Sequence, residues 1–332
     1  MKEKTLLYVA IFLTVASIVY WTAYGFNAFY TFHEYNDLGI FAYNMWYDLH
    51  FPGIVHGLQL LIFGNHISPD QLLLVLPFFA IDQSPLTLLF IQAVVLSLTS
   101  LLVYFIAKDL LKDNVLAFLL FLAFLVNPGM HGMLIFDYHT EMLIIPFVLL
   151  TFYFFMKSNA KLFYISLLFL LGTIEEAPFI AVALLFGLLV YVLSYVDKSA
   201  RKSLLTMLGI GFAVSFVVFG IYHIITASLI SSYATNYPDL PPMLKANIYY
   251  SNLLGGAVSG LTNIGKVANN TSLLLSSSMN IYIIYGILVA FFAAGIAIFF
   301  DPFIALLMGS PWLVEIFVNQ NLGFIVIWNQ YF

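Results

Sequence analysis

The segment Thr5–Ala28, TLLYVAIFLTVASIVYWTAYGFNA, decides the class of the fold. It contains no charged residue. At about 1.5 Å of rise per residue, a helix of this length crosses a hydrocarbon core of about 30 Å. Lys2 and Lys4 precede it, and Tyr20, Trp21, Tyr24 and Phe26 lie towards its end, as expected where a helix leaves the membrane. A secretory leader is the rival reading, but its apolar core would run about 7–15 residues and end in small side chains. The segment therefore reads as an uncleaved spanning helix.

The rest of the chain has the same character. Of its 332 residues 63% are hydrophobic and 8% are charged, and mean hydropathy is +1.01. Soluble domains carry about 25% charged residues. The fold class is an all-α polytopic membrane protein, a single transmembrane domain over residues 1–332. Further spans are expected at 84–107, 114–127, 142–157, 161–174, 177–197, 203–230 and 279–300, with a last apolar piece at 303–318, making about 8–9 in all. Outer loops would cover 29–83, 128–141 and 231–278. Within the first, Phe41–His50 suits a helix lying in the interface, and 71–81 is apolar but too short to span. The last loop holds the overlapping sequons Asn269 and Asn270, and the end at Phe332 reads as a truncation.

Composition also excludes functions. A net charge of −5 argues against a nucleic-acid partner. With no cysteine, thiolate metal sites and thiol nucleophiles are ruled out. No G-x-S-x-G, H-E-x-x-H, P-loop or G-x-G-x-x-G motif is present.

One orientation satisfies every short loop. With the N-terminus cytoplasmic, Lys2, Lys4, Lys108, Lys112, Lys157, Lys161, Lys198, Arg201 and Lys202 all fall inside. Only Lys245 and Lys266 fall outside, in the long late loop. The same assignment sends the histidine-acid patches to the outer side, which in a prokaryote is the extracytoplasmic face of the plasma membrane. His223 would lie near the outer end of its span.

Four patches carry the chemistry. The first is His33, Glu34 and Asp37, ahead of Gly39; on one helix they would share a face. The second is His66 in Asn65-His66-Ile67-Ser68-Pro69-Asp70. Asp70 itself reads as an ordinary acid in the first turn of a helix. The third is Asp137, His139 and Glu141. A helix would point Asp137 and Glu141 the same way, and His139 joins them if the backbone is extended or turning. Carboxylates with imidazole suit a divalent metal, Mg²⁺ or Mn²⁺ and less readily Zn²⁺; a helix-entry cap is the plainer alternative. The fourth is Glu175-Glu176, at a break between two apolar segments. Two such acids in a low dielectric demand a proton, a cation or an imidazole. Asn44, Asn65, Gln92 and Asn127 could donate neutral hydrogen bonds to a polar ligand or serve as structural polar groups. The functional expectation is that all four patches meet in one water-facing cavity.

Asn36-Asp37-Leu38-Gly39-Ile40-Phe41, Asn65-His66-Ile67-Ser68-Pro69, Phe136-Asp137-Tyr138-His139-Thr140-Glu141 and Glu175-Glu176 together resemble the membrane-protein family designated domain of unknown function 2079. That family in turn resembles the C-type (GT-C) glycosyltransferases, multi-span enzymes that take a sugar from a polyprenyl-phosphate carrier on the outer face. The resemblance implies a lipid-linked sugar donor and a membrane-lipid environment. It makes Asp37 the general base or metal ligand, with Glu34 as its catalytic neighbour. His33, His66, Glu175 and Glu176 would then bind substrate, and Asp137, His139 and Glu141 the metal. One position departs, because a basic residue tends to precede the acid pair where this chain has Ile174. A metal ion, or one of Lys245 and Lys266, would then have to meet the phosphate. A secondary transporter or ion-coupled permease is the competing reading, since broken helices with acids also suit transport. The sequence shows no internal repeat to support it.

Overall fold

The computed structural model describes residues 3–33, 36–50 and 67–225. The described residues are helical throughout, with no strand. Helix α1 (Glu3–Tyr30) is the segment singled out above, and α2 (Asn36–His50) follows a short turn. Two short helices, α3 (Pro69–Leu74) and α4 (Leu76–Phe79), occupy the stretch too short to span. Then come α5 (Pro85–Leu111), α6 (Asn114–Leu125) and α7 (Pro128–Ile135). A 3-10 turn (Thr140–Leu143) runs into α8 (Ile144–Met156), followed by α9 (Ala160–Leu171), α10 (Ala177–Tyr195) and α11 (Lys198–Ile225).

Among the described residues, four helices are long and apolar enough to cross a membrane: α1, α5, α10 and α11. The pair α6 and α7 makes a fifth if it is one broken span, bent by 41°. The stretch Thr140–Met156 and helix α9 are shorter apolar helices. The chain is thus a multi-pass membrane protein. Expected spans at 279–300 and 303–318, the loop 231–278 with Lys245, Lys266 and both sequons, and the residues Glu34, Asn65 and His66 lie outside the described residues, as does the side chain of His223.

Local chemistry sets the breaks. Ser84 caps α5 by accepting from the Leu86 N–H at 3.3 Å, with Pro85 in the first turn where its missing N–H does no harm. Asp113 caps α6 through the Val115 and Leu116 N–H groups at 2.8 and 3.0 Å. Asn127 caps α7, accepting from Gly129 at 2.8 Å and Met130 at 3.3 Å. That cap, followed by Pro128, starts a new helix inside what the sequence reads as loop 128–141. Lys112 and Ser158 take left-handed φ values of 57° and 52°, ending α5 and α8 abruptly. Short connections of this kind make α5–α6 and α8–α9 antiparallel neighbours.

Two large apolar cores stand out among the described residues. One gathers Trp21 of α1, Leu38, Phe41 and Met45 of α2, Leu88 of α5, Leu134 of α7 and Tyr138. The other packs Phe155, Phe163, Leu167, Leu184, Leu188 and Leu208 from α8 to α11. Outward-facing Phe12, Val19, Leu168, Phe186, Phe216 and Val217 leave the surface apolar as well, as a lipid-bathed bundle requires. The described basic residues sit at one set of helix ends: the start of α1, the α5–α6 turn, the α8–α9 turn and the start of α11. At that pole Asp109 holds Lys112 at 2.7 Å and Lys157 at 2.6 Å, and accepts from the Tyr153 hydroxyl at 2.7 Å. The polar patches fall at the opposite helix ends.

Candidate functional site

The centre is assembled from α2, α5 and the segment between α7 and the 3-10 turn. Residues 136–139 are not helical, so their backbone groups need partners from elsewhere. Gln92 of α5 provides them. Its Nε2 donates to the carbonyls of Met133 at 2.8 Å and Asp137 at 3.2 Å. Its Oε1 accepts from the His139 N–H at 2.9 Å. One buried amide on a rigid helix thereby fixes the path of the segment that carries Asp137 and His139.

The Asp137 side chain is 0% exposed. Its Oδ2 accepts the Leu38 N–H at 2.9 Å, one of the first-turn donors of α2 with no partner inside the helix. A carboxylate from ninety-nine positions away thus caps α2 and is favoured there by the helix dipole. The same bond sets the start of α2, and with it Asp37, against His139. Nε2 of His139 lies 3.1 Å from Asp37 Oδ2 and 3.3 Å from Asp137 Oδ1. On the far side of the ring, Nδ1 lies 3.3 Å from Glu141 Oε2. Phe136 and Phe41 flank the imidazole with ring centres at 5.0 and 6.0 Å.

Burial by itself would lower the His139 pKa. The charge of Glu141, with the carboxylates of Asp137, Asp37 and Glu141 set close against the ring nitrogens, outweighs it and holds the ring well above its ordinary value. Burial, assisted by Glu141, pushes the Tyr138 phenol up. A ring nitrogen carries one proton, and Asp37 is the nearer acceptor. Asp137 Oδ1 is left buried without a hydrogen bond of good geometry.

Asp37, Asp137 and His139 each present a ligand atom, all within 4.8 Å of one another. Spacings of 3.1 and 3.3 Å match the edges of a coordination polyhedron with bonds of about 2.0–2.2 Å. Two carboxylates and an imidazole, one oxygen lacking a partner, fit a divalent ion. Glu141, on the Nδ1 side, is placed as the outer carboxylate that orients a metal-bound imidazole. A bound ion would displace the ring proton, since histidine ligates as the neutral base.

A family model described as predicted membrane protein, DUF2079, matches residues 30–332. The chain belongs to the DUF2079 family. No curated protein and no solved structure matches it. This DUF2079 protein brings its four patches together pairwise among the described residues. Asp37 meets Asp137, His139 and Glu141, as above. The 67–71 segment meets the end of α9: the Ile67 N–H donates to Glu175 Oε2 at 2.9 Å, and the Asp70 N–H to the Gly172 carbonyl at 3.1 Å. Glu176 is half-buried at the entrance to α10. His33 is exposed past the end of α1, its Nδ1 2.9 Å from the Thr31 hydroxyl. Because α1 ends at Tyr30 and α2 begins at Asn36, His33 and Asp37 do not share a helix face.

Sequence reasoning leaves two groups under-read. Gln92 is treated as one of several neutral polar residues, although a lone amide within a long apolar helix is the signal of a buried brace. Asp70 is read as an ordinary first-turn acid, yet it is 4% exposed.

Proposed function

We propose that this DUF2079 protein is a GT-C-like glycosyltransferase that takes a sugar from a polyprenyl-phosphate donor. The observation that carries the reading is the convergence of Asp37, from the first non-spanning stretch, on the buried Asp137–His139 pair. At 35% exposure Asp37 is the most accessible of the three. In this reading it removes the proton of the acceptor hydroxyl. The acceptor oxygen attacks the anomeric carbon, the bond from that carbon to the phosphate oxygen breaks with inversion, and polyprenyl phosphate departs. Asp137 and His139, oriented by Glu141 and Gln92, would hold a divalent cation, Mg²⁺ or Mn²⁺ in preference to Zn²⁺, which supplies positive charge for the phosphate. Ile174, the residue before the acid pair, is buried and supplies no charge, so in this reading the metal meets that need. Glu34 would assist Asp37, and His33, His66, Glu175 and Glu176 would contact substrate.

The reading includes a cytoplasmic N-terminus and an extracytoplasmic centre in the plasma membrane, following the basic residues. It places α2 in the interface, Leu38, Phe41 and Met45 inward and Tyr43 and Trp46 outward. A secondary transporter remains the second reading, favoured by the bend between α6 and α7 and by buried Asp70 and Glu175. Depth weighs for the enzyme. Gln92 is seven residues beyond Pro85, about 10 Å along the axis, short of the midplane at about 15 Å.

The test is transfer of labelled sugar from polyprenyl-phosphate sugars by the protein in lipid nanodiscs. A chelator should abolish turnover and Mg²⁺ or Mn²⁺ restore it. Asp37→Asn should lower the rate by about 10²-fold or more. Full activity in that variant excludes Asp37 as the base. Solute uptake into proteoliposomes without sugar transfer would replace this reading with transport.

A further inference from the structure

We propose that α2 is a metal-linked element: the divalent ion held by Asp137 and His139 takes Asp37 as a further ligand and thereby clamps α2 onto the bundle. The proposal rests on the metal site of the glycosyltransferase reading and adds what controls that site. Its starting point is where the ligands come from. Asp137 and His139 belong to one non-helical segment, whose path Gln92 of α5 fixes through the Met133 and Asp137 carbonyls and the His139 N–H. None of those three bonds involves α2. Asp37 arrives separately, in the first turn of α2. Its Oδ2 stands 3.1 Å from His139 Nε2, and one atom from each of Asp37, Asp137 and His139 falls within 4.8 Å of the others. The bundle thus sets two ligands, and the position of α2 sets the third.

Asp137 makes the link two-sided. Its Oδ2 accepts the Leu38 N–H of α2 at 2.9 Å. Its Oδ1, buried and without a hydrogen-bond partner, stands 3.3 Å from His139 Nε2. One carboxylate therefore joins the backbone of α2 to the position of the ion. On its bundle side α2 also buries Leu38, Phe41 and Met45, while Tyr43 and Trp46 on the other side are exposed. Apolar packing holds a helix close but has no direction. The polar contacts at its N-terminal end are what fix α2 against His139. An ion that engages all three ligands binds the docked arrangement more tightly than one in which Asp37 has moved off, so it favours docking by the ratio of the two affinities. By linkage, docking of α2 raises affinity for the ion by the same factor. The second oxygen of Asp37 stays available for the acceptor proton in the catalytic reading. Ion binding and delivery of the base then become a single event.

The experiment is hydrogen–deuterium exchange of the full chain in nanodiscs, with and without MnCl₂, while electron paramagnetic resonance of the Mn²⁺ follows binding separately. In wild type, saturating Mn²⁺ should slow exchange across α2 by about tenfold or more and leave exchange in α10 unchanged. Asp37→Ala should lose the slowing of α2, because whatever Mn²⁺ it still binds on Asp137 and His139 no longer reaches that helix. Mn²⁺ binding by wild type with α2 exchange unaltered overturns the linkage and leaves the metal assignment standing. Slowing that persists undiminished in Asp37→Ala also overturns it, since the link then runs through another group. Absence of Mn²⁺ binding by wild type overturns both this proposal and the metal part of the glycosyltransferase reading.

Discussion

The His139 centre and the Asp70–Glu175 cluster pose the same problem and answer it differently. Each buries acids at a break between helices. At His139 the chain brings donors to the acids: an imidazole between Asp37 and Asp137, and the free Leu38 N–H beneath Asp137. At Asp70 the Ile67 N–H reaches the neighbouring Glu175, while Asp70 Oδ2 is left unmatched. The difference teaches that burial does not by itself decide how a carboxylate behaves in a membrane bundle. What decides it is whether a rigid element aims an N–H or a positive charge at the oxygen.

Removing a donor–acceptor pair at the first site should therefore do the most damage. Asp137→Ala takes the cap from α2 and breaks the buried pair with His139. Thermal unfolding in detergent should show a loss of about 3–5 kcal/mol, the usual range for breaking a buried ion pair. Asp137→Asn, whose amide oxygen can still accept from Leu38, should lose less. Equal effects from the two would sink the capping argument.

Next in size is Gln92→Leu. It strands the Met133 and Asp137 carbonyls and the His139 N–H, each buried group left unpaired being worth about 1–3 kcal/mol. Sugar transfer should fall with stability, because the loop carrying Asp137 and His139 loses its brace. A stable variant with full activity would show that the loop holds its path unaided.

Gly172→Ala probes the contact between α3 and the end of α9. The added methyl meets the Asp70 carboxylate and should destabilise by about 1–3 kcal/mol. The penalty should shrink in an Asp70→Ala background, where the obstacle is gone. A double-mutant cycle on unfolding midpoints measures that coupling. Additive effects would mean that Asp70 moves aside at little expense.

The smallest expected effect concerns Asp48 of α2, a third acid whose two oxygens are buried without partners. Burial raises its pKa from 3.8 to about 7. A carboxyl with a raised folded-state pKa binds its proton more tightly when folded. Its contribution to stability is therefore greatest below about pH 4 and is lost as the pH climbs through about 7. The unfolding midpoint should decline across that window, and Asp48→Asn should flatten the decline. A slope unaltered by the substitution assigns the titration to another group.

Much of the architecture was legible because the hydrophobic code in a membrane is blunt. Uninterrupted apolar runs became α1, α5, α10 and α11, and Asn127-Pro128 and Gly172–Glu176 became the breaks. The motif Phe136–Glu141 was legible as chemistry but not as geometry. Its i,i+4 acids suggest one helical face, yet the segment is extended up to His139, and Glu141 meets the opposite side of the ring from Asp137. No local rule reveals that Asp137 caps a helix ninety-nine residues earlier. Nor does one reveal that Asp70 sits over Gly172, because the side chain that would have filled that space is absent from the sequence by design of the glycine.

The sequence alone determined that the chain crosses the membrane repeatedly, where some of its helices break, and at which helix ends acids and bases collect. Those properties are sums over neighbouring residues: hydropathy, capping chemistry and charge. Tertiary structure alone decided which acids meet. Hydrogen bonds at about 3 Å between segments far apart in the chain depend on how whole helices pack, and that packing joins Asp37 to His139 and Ile67 to Glu175.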